Sequence, residues 1–145
     1  MYVGIEKNTG GGKTEASDAA KATVLIVEDD RESREAIAEL LELEGYSVIR
    51  TANGQEALDS LRTDPRPNLI IMDMIMPRVN GFRFRRLQRR DPALASIPVI
   101  ITTAIGKAAG VEADLILQKP IDINVLLRAV AEFCSTPDSS ARTSG

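Results

Sequence analysis

Four short apolar runs in this chain each end at polar, chemically capable residues, and that pattern restricts the fold more than any other feature. Thr23–Val27 leads into Glu28-Asp29, Leu69–Met72 into Asp73, Val99–Thr102 into Thr103, and Leu115–Leu117 leads up to Lys119. Runs this short, bounded by polar residues, read as strands and not as helices. In a parallel α/β sheet the carboxyl ends of all strands lie along one edge, where ligands bind. The four ends would therefore bring three acids, one hydroxyl and one ammonium into a single shallow cleft.

The intervening segments supply the helices such a sheet needs. Arg31–Gly45 places Ile37, Leu40 and Leu41 on one face and ends on a glycine, the pattern of an amphipathic helix with its stop. Ser47–Thr51 reads as strand two, and Gly54–Arg62 as helix two with its stop at Asp64-Pro65. Phe82–Arg90 is helix three, ended by Asp91-Pro92. The last helix spans about Ile123–Cys134, with Asp122 as its N-cap and Leu126, Leu127, Val130, Phe133 and Cys134 facing inward. Strictly alternating strands and helices imply a doubly wound parallel α/β sheet, and the right-handed crossover rule favours a five-stranded flavodoxin-like order, 2-1-3-4-5. Residues 1–22 and 135–145 are polar, lack any period and read as a disordered leader and tail around one domain, 23–134.

Composition removes several function classes. Histidine is absent, so the chain can neither use imidazole as acid, base or zinc ligand nor carry a phosphohistidine itself. The single cysteine, Cys134, excludes an internal disulfide and reads as an apolar filler in a reducing compartment. No segment approaches the roughly 20 apolar residues of a membrane span. Met1–Gly12 has no apolar core of a secretory signal, which leads us to expect a cytoplasmic protein with no membrane partner. Gly12-Lys13-Thr14 has the end of a phosphate-loop motif, but Lys7 stands where its first glycine belongs and no strand leads in.

The cleft residues suit one divalent cation and one phosphoryl group. Mg²⁺ takes oxygen ligands and keeps several waters, so Asp29 and Asp73 serve as direct ligands and Glu28 through water. The cation and Lys119 offset the repulsion among the carboxylates. Asp73 could then attack a phosphoryl donor and form an acyl phosphate. Lys119 would neutralise the phosphoryl oxygens, while the Thr103 hydroxyl and the Ala104 N–H donate hydrogen bonds to them. Taken singly, each residue has a plainer explanation: Glu28-Asp29-Asp30 as helix capping, Asp73 as a turn cap, Lys119 as a solvated charge. Their joint occurrence at four strand ends decides against these.

The residues that carry this chemistry resemble a family. Val24-Leu25-Ile26-Val27-Glu28-Asp29, Leu69 to Gly81 (LIIMDMIMPRVNG), Ile97 to Ala104 (IPVIITTA) and Lys119-Pro120 are similar to the motifs of response-regulator receiver domains of two-component signalling. The resemblance covers roughly Thr23 to Phe133. It implies Asp73 as phospho-acceptor, and Glu28 and Asp29 as the acidic magnesium pair, with the backbone carbonyl of Ile75 as a further ligand. It also implies Thr103 as switch hydroxyl, a cis Lys119-Pro120 bond, and a phosphoryl donor that is a histidine kinase or histidine phosphotransfer protein. Signalling would proceed through an unknown downstream protein, the chain acting as a stand-alone phospho-acceptor and not as an enzyme.

Three departures from the family pattern bear on mechanism. Thr103 and Lys119 stand about one and a half helical turns closer than usual, which leaves a shortened helix four, Gly106–Gly110, and predicts that output avoids the face around it. Ile116 occupies the place of the family's switch aromatic. Ile75 and Ile105 are apolar where polar side chains can assist an attacking water, which predicts slow loss of the phosphoryl group. These departures keep open a phosphorylation-independent receiver acting as a protein-binding module. A Mg²⁺-dependent small-molecule phosphatase is disfavoured, because Ile75 stands where a second acid would be needed. Finally, Arg78, Arg83, Arg85, Arg86, Arg89 and Arg90 cluster around helix three in a chain of formal charge −3. That cluster is either a solvated face or a surface that steers an acidic partner; without a recognition module, nucleic acid is disfavoured.

Overall fold

The computed structural model describes residues 22–75, 80–104 and 112–134. The expected leader and tail, the shortened helix four, Ile105 and Arg78 lie outside the described residues. The elements are β1 (Thr23–Val27), α1 (Arg31–Leu43), β2 (Ser47–Thr51), α2 (Gly54–Ser60) and β3 (Leu69–Asp73). There follow α3 (Gly81–Arg90), α4 (Pro92–Ala95), β4 (Val99–Thr103), β5 (Leu115–Gln118) and α5 (Ile123–Cys134). The strands form one parallel five-stranded sheet in the order β2-β1-β3-β4-β5. This is the flavodoxin-like arrangement expected from the sequence.

The apolar runs are continuous because the central strands are buried on both faces. Along β1, Leu25 and Val27 enter one core with α2, α3 and Leu94, while Val24 and Ile26 enter the other with α1 and α5. The same division separates Ile70 and Met72 from Leu69 and Ile71 on β3, and Val99 and Ile101 from Ile100 on β4. Asp73, Thr103 and the residue before Lys119 are the last residues of their strands, so the sheet register itself delivers the polar groups to one edge.

Local sequence explains the helix ends. Asp30 caps α1 by accepting the Ser33 N–H at 2.9 Å. Gly45 adopts φ 99°, and the Gly45 and Tyr46 N–H groups donate to the Glu42 and Leu41 carbonyls, a Schellman stop that needs a left-handed residue. At α3 the Asn80 side chain accepts the Arg83 N–H at 3.0 Å. Gly81 lies so close to β3 that a Cβ there would stand 3.3 Å from the Met74 carbonyl oxygen. Asp91-Pro92 does not simply end helix three: Asp91 caps a further turn, α4, with Pro92 at its start, where a missing N–H costs nothing. Asp122 accepts from the Asn124 and Val125 N–H groups and so caps α5.

Candidate functional site

The loops after β1 and β5 and the ends of β3 and β4 meet at the carboxyl edge of the sheet. Glu28 leaves β1 with its N–H donating to the Thr51 carbonyl at 3.1 Å. Its own carbonyl accepts from the Arg34 guanidinium at 2.9 Å, and its Oε2 accepts the Asp30 N–H at 3.1 Å. The side chain is thereby turned into the sheet edge, 3 % exposed. Asp73 ends β3 and is 9 % exposed, its Oδ1 accepting the Ile75 N–H at 3.3 Å. Asp29 stands exposed beside them, and one carboxylate oxygen from each of Glu28, Asp29 and Asp73 lies within 4.8 Å of the others.

Lys119 closes the cluster. Its backbone N–H continues the β4–β5 ladder by donating to the Thr103 carbonyl at 2.7 Å, across a cis Lys119-Pro120 junction. Its ammonium donates to Asp73 Oδ2 at 3.1 Å and to Glu28 Oε1 at 3.4 Å. Burial opposes the ammonium charge, but the bond to Asp73 and the charges of Glu28 and Asp73 outweigh it, so Lys119 holds its proton more tightly than usual. Burial, helped by the charge of Asp73, pushes the Glu28 carboxyl up, against the opposing Asp30 N–H and Lys119. Thr103 is 1 % exposed. Its Oγ1 is the one buried side-chain polar atom without a hydrogen-bond partner among the described residues. Orphaned buried hydroxyls are costly, and this one sits at a strand end beside the cluster.

The donor set fits a small hard cation. Octahedral Mg²⁺–oxygen bonds of about 2.1 Å place ligand oxygens roughly 3–4 Å apart, within the 4.8 Å spread of the three carboxylates. Around the cluster, Ile75 is 63 % exposed and Ala104 is exposed at the end of β4. A groove lined by Ser33, Ala36, Ile37, Pro120 and Ile121 borders Glu28 and Lys119.

The model of the response regulator receiver domain matches residues 24–131. This chain belongs to that family. As a receiver, it is 34 % identical over 117 residues to the polar-differentiation response regulator DivK of Brucella anthropi, covering 77 % of this chain and 94 % of that protein. It is 36 % identical over 128 residues to the phosphate regulon transcriptional regulatory protein PhoB of Pseudomonas aeruginosa, covering 82 % of this chain but only 56 % of PhoB. Among solved structures it is similar to the signal receiver domain of a signal transduction histidine kinase from Syntrophus aciditrophicus. That match has a TM-score of 0.75 and 32 % identity, covering 81 % of this chain and 92 % of the other. The chemotaxis protein CheY4 of Vibrio cholerae aligns with a TM-score of 0.71 and 28 % identity, covering 79 % and 99 %. Receivers are signalling modules of two-component systems that interact with histidine kinases and downstream targets, and they bind Mg²⁺ at an acidic cluster of this kind.

Sequence reasoning brought together Glu28, Asp29, Asp73, Thr103 and Lys119, and the fold places all five at one edge. It missed two supports. Thr51 ends β2, accepts the Glu28 N–H and donates its hydroxyl to the Ile26 carbonyl at 2.7 Å; the strand-end rule, applied to strand two as well, would have found it. Arg34 had no comparable signal, because its partner is a backbone carbonyl. Ile116 stands 44 % exposed on β5. Cys134 is half-buried, and burial pushes its thiol up to about 11, which suits a packing residue. No helix among the described residues is long and apolar enough to cross a membrane.

Proposed function

We propose that this receiver takes a phosphoryl group from a phosphohistidine of a histidine kinase or histidine phosphotransfer protein onto Asp73, and signals by altered contact with a downstream protein in the cytoplasm. The observation that carries the reading is the Lys119 ammonium shared between Asp73 and Glu28 beside a third carboxylate. An Asp73 oxygen forms the new P–O bond as the P–N bond of the donor breaks, and the imidazole leaves with the electron pair of that bond. Lys119 remains charged through the transfer and faces the incoming phosphoryl oxygens. The unpartnered Thr103 hydroxyl gains an acceptor in the phosphorylated form, and the Ala104 N–H lies next to it in sequence. Glu28, Asp29, Asp73 and the Ile75 carbonyl would hold Mg²⁺, whose charge neutralises carboxylates and phosphoryl oxygens together. The chain assists only its own aspartyl phosphorylation and hydrolysis, and is not otherwise an enzyme.

The test is intact-protein mass after incubation with Mg²⁺ and acetyl phosphate, for the wild type and Asp73→Asn. One added phosphoryl group, lost in the variant, is the expected result. No incorporation by folded wild-type protein, from acetyl phosphate or a panel of histidine kinases, would overturn it. The exposed Ile116 in place of an aromatic would then favour a phosphorylation-independent binding module.

A further inference from the structure

Helix α3 carries arginines at 83, 85, 86, 89 and 90 and no acid, and the fold divides them into two groups. Arg85 donates from Nε to the Glu112 carbonyl and from Nη1 to the buried Gln88 side chain, both at 2.6 Å. Arg89 pairs with the Glu112 carboxylate. These two clasp the segment that leads into β5. Arg83, Arg86 and Arg90 are exposed and have no acid in ion-pair reach among the described residues. Their spacing, i, i+3 and i+7, puts them on one stripe about 10 Å long, opposite the buried Gly81, Phe84 and Gln88.

Of these three only Arg90, in the last turn of α3, is favoured by the helix dipole; Arg83 and Arg86 have no such support. Arg83 sits in the first turn, where the helix dipole favours an acid, and successive arginines repel along the stripe. At Arg83 and Arg86 that local conflict has no intramolecular gain among the described residues, which points to a surface kept for another purpose. We propose that Arg83, Arg86 and Arg90 dock an acidic helical face of a partner protein, its carboxylates spaced one turn apart, with Phe82 as an apolar contact on the flank. Guanidinium forks match carboxylates two bonds at a time. Phe82 is 43 % exposed beside Arg86, and aromatic residues with arginine are the composition of protein interface cores. A second copy of this chain is a poorer occupant. Its acidic stripe on α1 has Glu35 and Glu42 already holding Arg50, at 3.0 Å and at 2.9 and 3.0 Å. Nucleic acid fits less well, since three arginines neutralise few phosphates and the acidic cluster lies at the sheet edge where α3 begins.

The inference does not depend on phosphoryl transfer and is tested on the full chain carrying Asp73→Asn as well as on the wild type. The probes are a stapled helical peptide with Glu at i, i+3 and i+7, the same composition with the Glu residues spread around the helix, and a short duplex DNA. Binding is read by fluorescence anisotropy at about 50 mM salt, where screening is modest. The aligned peptide should bind at least about tenfold tighter than the scrambled one, and R83Q/R86Q/R90Q should lose about tenfold while R31Q binds as wild type. If the triple variant does not fold, R86Q alone should lose about threefold. Equal binding of the two peptides, no loss in the variants, preference for DNA, or self-association that the triple variant abolishes would each overturn the proposal.

Discussion

Replacing Asp73 by Asn should stabilise the protein in the absence of divalent cations. Asp73 is 9 % exposed and shares its edge with Glu28 and Asp29, with one oxygen of each within 4.8 Å. In bulk water each such like-charge contact costs about 0.9 kcal/mol, while the Lys119 attraction at 3.1 Å offsets about 1.3 kcal/mol. At an effective dielectric of about 20 the same contacts scale to about 3.5 and 5.4 kcal/mol. Two repulsions against one attraction leave a net penalty of about 0.4–1.6 kcal/mol, and desolvation of the carboxylate acts in the same direction. Asn removes the charge but has one oxygen, and the Ile75 N–H and Lys119 bond different oxygens of Asp73, so the variant gives up one of these two bonds. A gain of about 0.5–1.5 kcal/mol corresponds to a Tm higher by roughly 2–6 °C for a domain of this size. Saturating Mg²⁺ should raise the wild type by mass action and close the gap, because the variant lacks one ligand. The assay is thermal unfolding by far-ultraviolet circular dichroism in EDTA and in Mg²⁺, as the chain has no tryptophan. A lower Tm for Asp73→Asn in EDTA would show that the Lys119 pairing outweighs the repulsion and would refute the reasoning.

The Glu28 carboxyl lies above its ordinary value of 4.5 through burial and the charge of Asp73, so the folded state binds this proton more tightly than the unfolded chain. Its contribution is present below pH 4.5 and is lost as pH rises through the raised folded value; Glu28→Gln in EDTA should flatten that part of the urea-stability profile, and an unchanged slope would count against it. Ile75→Asn should shorten the lifetime of the phosphorylated form, since Ile75 is 63 % exposed beside the acceptor and gives water no hydrogen bond; a half-life by intact mass that stays equal or grows would contradict this. Gln88→Leu should cost about 2–4 kcal/mol in urea unfolding, because the buried amide donates to the Leu94 and Ile97 carbonyls at 2.8 and 3.0 Å and accepts from Arg85. A loss below about 1 kcal/mol would mean that water replaces those bonds.

The site was legible in the sequence because the same residues that end strands also carry the chemistry. β1, β3 and β4 are buried on both faces, so their apolar runs have sharp ends, and a polar residue just past each end has only the sheet edge to occupy. β2 shows the limit of that signal. As an edge strand its SVIRT sequence is only partly buried, so Thr51 did not stand out although it anchors the Glu28 backbone. Arg50 in the same strand is held by Glu35 and Glu42 from α1, contacts that no local pattern announces. Asp91-Pro92 did end helix three at Arg90, but the same pair also opens a further turn, because proline fits a helix start as well as a stop and Asp91 caps it.

Charge in α3 marks the deeper boundary between local and tertiary information. Read along the chain, its arginines form one undifferentiated cluster, because spacing alone cannot say which cations already have partners. The partner of Arg85 and Arg89 is Glu112, 27 residues beyond Arg85, on a segment brought to α3 by the β4–β5 crossover. Only after that pairing is known do Arg83, Arg86 and Arg90 separate as a stripe with no ion-pair partner among the described residues, Arg90 alone of the three being favoured by the helix dipole. The folded chain thus turns a compositional bias into two claims with different consequences. Neutralising Arg85 should loosen the approach to β5 and Lys119, whereas neutralising Arg86 should leave the fold intact and weaken only what docks there.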